Sequence, residues 1–132
     1  MLSRAVLFLV IVGVITSGVG CGSGRSLVGI QIYPADPNLA HNTSYYIAPG
    51  ATIQFVIQGT YSDRTAQTIP AKSGNWSSTN SGVASVDSSG LATSAGPLGV
   101  TTINASVGGH SSTVLLGVCD PTVVVCPPPP NP

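Results

Sequence analysis

The sequence predicts an all-β fold, an antiparallel β-sandwich of about seven short strands. Three observations carry that expectation. The composition is that of strands and turns: four Lys/Arg face four Asp, Glu is missing, and Ser, Thr, Gly and Val take their place. Helices draw heavily on Glu and on charged wet faces, whereas β-branched residues suit strands and Gly and Ser suit turns. Between residues 27 and 118 the apolar residues recur every second position, the period of a half-buried strand. Each such run is closed by turn residues.

The elements follow in order. "VGIQIYP" sets Val28, Ile30 and Ile32 on one face, and Pro34 ends the run. "TIQFVIQGTY" sets Ile53, Phe55, Ile57 and Tyr61 on one side and Gln54, Gln58 and Thr60 on the other, with Val56 out of pattern. "NWSS" presents Trp76, the sole tryptophan, which is expected to pack between the sheets. "VASVD" presents Ala84 and Val86, and "GLATS" presents Leu91 and Thr93. "STNSG" and "DSSG" separate these three short strands as turns. "GVTTINASV" points Ile103, Ala105 and Val107 inward, and "TVLLGV" points Val114, Leu116 and Val118 inward. Gly108-Gly109 between the last two suits a tight hairpin. About 90 residues suffice for a modest core without an internal disulfide.

The ends read differently. Residues 1–20 hold Arg4, an apolar run from Ala5 to Ile15, and then small residues. This is the pattern of a secretory signal peptide, and the run is shorter than the roughly 20 residues of a spanning helix. "GVGC" resembles the lipobox of bacterial lipoproteins, in which the cysteine after the cut carries lipid. Cys21 is therefore the expected lipidation site, although Gly18 departs from the larger aliphatic residue usual there. Ordinary cleavage and simple secretion is the alternative. Residues 21–26, "CGSGRS", read as a tether. Residues 119–132 read as a cysteine loop followed by the tail "PPPPNP", an exposed polyproline II segment. With Cys21 lipidated, Cys119 and Cys126 remain, an even pair in an exported chain, and six residues lie between them. A small disulfide loop is expected.

These residues together resemble the group 2 bacterial immunoglobulin-like domain, a module also found in intimin- and invasin-type surface proteins. "IQIYPADPNL" resembles its first strand, "APGATIQFVIQGTYSD" its second strand and turn, "NWSSTNSGVASVDSSGLATSAG" its central run, and "GVTTINASVGGHSSTVLLGV" its closing strands. The resemblance spans about 28–118 and implies an immunoglobulin-like sandwich with a structural, adhesive or partner-binding role. One departure is "LAHNTSYYI", 39–47, which is long and places Tyr45 beside Tyr46. Neighbours in an extended segment face opposite sides, so one tyrosine is expected to be exposed. Both are candidate ligand-binding residues for a protein or polysaccharide partner.

Other chemistry is poorly served. The balanced charge argues against nucleic acid. Cys119 and Cys126 form no C-x-x-C pair, and no metal or cofactor is expected. Asp36, Asp63, Asp87 and Asp120 stand in turn-like contexts, and His41 and His110 have no nucleophile motif. The chain is expected to be non-enzymatic. It is also expected to be held by lipid on a bacterial membrane, in the periplasm or at the cell surface.

Overall fold

A computed structural model describes residues 24–120 and 122. Nine strands occur there: β1 (Leu27–Pro34), β2 (Ser44–Ile47), β3 (Thr52–Tyr61), β4 (Ala66–Ile69), β5 (Asn75–Ser78), β6 (Ala84–Val86), β7 (Leu91–Ser94), β8 (Gly99–Val107) and β9 (His110–Val118). A short 3-10 turn, Ala71–Ser73, precedes β5, and no α-helix occurs among the described residues. One sheet runs β1-β3-β7-β6, with β4 paired to the far half of β3, and the other runs β2-β9-β8-β5. All pairings are antiparallel except β2 with β9, which is parallel. The fold is an immunoglobulin-like β-sandwich with two strands, β2 and β4, beyond the seven expected.

The core forms where the period-two faces of the sheets meet. Phe55, Ile57, Ile103, Leu116 and Val118 are its largest fully buried side chains. Each burial of this kind is worth about 1.5–3 kcal/mol in transfer free energy. Alternation holds along β3, where Ile53, Phe55 and Ile57 are buried, and along β8 and β9, where Ile103, Ala105, Val114, Leu116 and Val118 are buried.

Two faces depart from the expectation. Val28 is 51% exposed, because the register of β1 on β3 slips between Leu27 and Gly29. The extra residue is a β-bulge, which turns one side chain out of the alternation. Leu27 packs on the core instead. In β7 the buried residues are Ala92 and Ser94, while Leu91 is half-buried and Thr93 exposed. Ala92 stands opposite both Ile53 and Val86, so the register of β7 with β3 and β6 fixes its inward face.

The serine-rich stretch is the middle of the sandwich, and its hydroxyls work inside it. Ser78 Oγ donates to the Ala84 carbonyl at 2.6 Å and lies 2.7 Å from Thr101 Oγ1. Thr101 is 2% exposed and accepts the Asn80 amide at 2.9 Å. This polar chain joins β5 and β8 to β6 of the opposite sheet. Every buried side-chain nitrogen or oxygen among the described residues has a partner, as buried polar groups require. Trp76 is half-buried, packs against the core cluster, and donates its indole N–H to the Ala71 carbonyl at 3.0 Å. It packs on the core as expected, but from one margin, so it is half-buried rather than enclosed.

The tether expectation is modified as well. Arg25 lies over the Tyr61 ring at 4.7 Å, bonds Gln67 Oε1 at 2.7 Å and faces Asp63 at 3.9 Å. Ser26 and Ser62 exchange bonds: the Ser26 amide donates to Ser62 Oγ and the Ser62 amide donates to the Ser26 carbonyl. Arg25 and Ser26 are therefore docked on the domain.

Candidate functional site

The site is built around the connection from β1 to β2. Asp36 starts it by accepting the Asn38 amide and side-chain N–H, each at 2.9 Å, an Asx turn set by a short carboxylate. Its far end is held by Tyr45. Tyr45 is 7% exposed, and its ring meets Phe55 edge-on, with centroids 5.8 Å apart. Its hydroxyl donates to the Ala40 carbonyl at 3.0 Å and accepts the Asn42 amide at 2.8 Å. Tyr45 is thus a core residue that pins the 40–42 backbone, and its burial removes it from the candidate ligand contacts.

Tyr46 takes the opposite face, as alternation requires. It is half-buried, and its ring lies across Gly117 on β9, so closely that a Cβ added at Gly117 would collide with the ring. An aromatic covering a glycine on the neighbouring strand caps exposed backbone. Tyr46 therefore has a packing task on the outer face of its sheet, away from the inward side chain of Tyr45.

What the connection does expose is a second aromatic pair. His41 stacks on Tyr33 of β1 with ring centroids 3.9 Å apart and planes 20° from parallel. The Tyr33 hydroxyl is hydrogen-bonded to Gln31 Oε1. Beside the pair opens a cleft of about 180 Å³, bounded by Gln31 and Tyr33 on one side, His41 to Thr43 above, and Ser112 and Thr113 of β9 on the other. Buried Ile32 completes the lining, and no Asp, Lys or Arg takes part. The Leu115 amide donates to the Thr43 carbonyl. Thr113, two residues earlier, turns its backbone groups to the same side.

The remaining candidates are scattered. His110 lies at the start of β9 with Nε2 3.0 Å from the Leu27 carbonyl, whereas His41 sits in the β1–β2 connection. The aspartates are turn formers. The carboxyls of Asp63, Asp87 and Asp120 are held below the ordinary carboxylate range, first by the hydroxyls of Thr65, Ser89 and Thr122 and then by backbone amides. Among the described residues no group of three or more His, Cys, Asp or Glu could hold a metal. Cys119 is 9% exposed and disulfide-bonded. Cys21, Cys126, the leader and the proline tail lie outside the described residues.

Comparison with known proteins gives a family. The bacterial Ig-like domain (group 2) matches residues 38–115, more than half of the chain. The chain belongs to this family. The match begins after β1, and the strands of the domain run on either side of it, from Leu27 to Val118. The chain is also similar to ice-binding protein 1 of Shewanella frigidimarina (strain NCIMB 400), at 38% identity over 95 residues. That stretch is 72% of this chain and 10% of the relative, so the chain spans about a tenth of that protein. Membership of a family of immunoglobulin-like modules indicates a structural or binding part.

Proposed function

We propose that this chain is an exported, non-catalytic immunoglobulin-like module, lipid-anchored through Cys21, with a structural, adhesive or partner-binding role at the outside of a bacterial membrane. The observation that carries the reading is the placement of the two ends. The Leu27 carbonyl lies beside His110, at the start of β9, whereas Cys119 at its other end bonds the Ile47 carbonyl through its amide. The chain thus enters the sandwich at one pole and leaves at the other. With Arg25 and Ser26 docked, at most four residues, 21–24, would separate a lipid on Cys21 from the domain, a reach of no more than about 14 Å. A lipid on Cys21 would hold the entry pole close to the bilayer and turn the exit pole outward. A disulfide from Cys119 to Cys126 would close a small loop at that outward pole. A single lipid-modified end suits a module that presents a surface.

The test is a Cys21→Ser variant expressed in the native host. The wild-type chain is expected in the membrane fraction, released by detergent and not by salt. The variant is expected in the soluble exported fraction with its melting midpoint unchanged. A variant that stays on the membrane would exclude the lipid anchor.

A further inference from the structure

We infer that the cleft between β1, the β1–β2 connection and β9 is a binding subsite for one neutral sugar ring. The inference rests on the partner-binding part of the reading above and is independent of the anchor. Four observations carry it. The Tyr33–His41 pair, stacked at 3.9 Å, borders the cleft and gives it an aromatic wall. Such a wall suits the aliphatic C–H face of a pyranose, which needs an apolar surface that still tolerates water. The other groups are those that recognise hydroxyls in both directions. Asn42 offers a donor and an acceptor, Gln31 offers its amide N–H groups beside the oxygen that Tyr33 engages, and Thr43 with one of the β9 neighbours Ser112 and Thr113 offers hydroxyls that serve as either. The cleft has no Asp, Lys or Arg in its lining, so it carries no fixed charge to favour a charged sugar, a phosphate or an acidic peptide over a neutral ring. Its volume, about 180 Å³, falls below the roughly 300 Å³ at which drug-sized pockets begin. One ring fits, with the rest of a glycan continuing into solvent.

The support of the wall is built in. Tyr45 fixes the backbone at Ala40 and Asn42 through its buried hydroxyl. His41, between them, is thereby held against Tyr33 before any ligand arrives, which lowers the ordering cost of binding. Gln31 lies four residues along β1 from Leu27, about 13 Å from the entry pole. A chain anchored at that pole would carry the cleft clear of its attachment point.

The test uses the full chain in a detergent without a sugar headgroup, titrated with the methyl glycosides of glucose, galactose and N-acetylglucosamine. Glucuronate and a neutral Gly-Ser peptide serve as competing chemistries. Amide NMR shifts and calorimetry are the readouts. At least one neutral glycoside is expected to give saturable shifts at Thr43, Ser112 and Thr113 with Kd of about 1–10 mM. His41→Ala and, separately, Asn42→Ala are expected to weaken it by roughly tenfold, with the melting midpoint retained. Leu98→Ser, at an exposed position outside the cleft lining, is expected to bind as wild type. No saturable shift from any neutral glycoside up to about 100 mM overturns the inference. Binding of glucuronate or the peptide alone, or glycoside binding unchanged in both cleft variants, overturns it equally. The Cys21→Ser fractionation reads the anchor separately, so the two can fail independently.

Discussion

Replacing Gly90 with Ala tests whether the "DSSG" turn is the structural centre that the fold makes it. Gly90 has φ +78, and a Cβ there would stand 2.7 Å from the Phe55 carbonyl oxygen and 2.8 Å from Trp76 Cζ2. The backbone cannot give easily, because the Phe55 amide donates to the Gly90 carbonyl at 2.9 Å. Gln54 Nε2 also ties the Ser89 carbonyl to the Phe55 carbonyl at 2.7 and 2.9 Å. The left-handed conformation costs an alanine about 1–2 kcal/mol. Crowding a packed site adds about 1–3 kcal/mol. After some relaxation of Trp76, a loss of about 3 kcal/mol is expected. For a domain of about 100 residues that is a fall in melting midpoint of roughly 12–24 °C. Gly50 supplies the control: it has φ +77, and a Cβ there would meet nothing within 4 Å. Gly50→Ala is therefore expected to cost only the conformational part, about 1–2 kcal/mol. Urea unfolding followed by Trp76 emission measures both. If Gly90→Ala costs no more than Gly50→Ala, the crowding argument is wrong.

Two further predictions concern the loop and the turns. Tyr45→Phe leaves the ring on Phe55 but removes the hydroxyl that serves Ala40 and Asn42. It is expected to cost about 1–2 kcal/mol and to speed amide exchange at Asn42 while leaving β8 protected; unchanged exchange at Asn42 would refute the pinning role. Asp63, Asp87 and Asp120 have folded carboxyl pKa values below their unfolded ones. Their contribution is therefore fully present above the unfolded carboxylate pKa near 4 and is lost as pH falls through the folded values. Denaturation midpoints should fall below about pH 4 and should fall less in an Asp87→Asn variant; an identical acid profile in that variant would contradict the assignment.

How far the sequence reveals this molecule varies with strand length. Strands β3 and β8 are ten and nine residues long and alternate through most of that length, so a period of two has one reading, and Ile53, Phe55, Ile57, Ile103 and Ala105 are buried as expected. Strand β9 buries Val114, Leu116 and Val118 as expected but Gly117 as well. In β7 four residues, "LATS", allow two phases. Leu91 is the more apolar choice, yet pairing with Ile53 and Val86 turns Ala92 inward. Strand β4, "AQTI", has a single buried residue and leaves almost no pattern. The bulge at Val28 is equally silent, since an inserted residue preserves local composition. For Tyr45 and Tyr46, opposite faces are legible from adjacency alone, but which ring enters the core depends on the parallel register with β9. The cleft is the least legible feature. Its residues come from β1, a loop and β9, and Tyr33 and His41 meet only when the sandwich closes.

An anchored module requires one particular processed end. Intact-mass spectrometry of the chain recovered from native membranes addresses that directly. The expected species begins at Cys21 and carries the added mass of a diacylglyceryl thioether. A chain that begins elsewhere, or one that begins at Cys21 without lipid, would contradict the anchored module proposed for it.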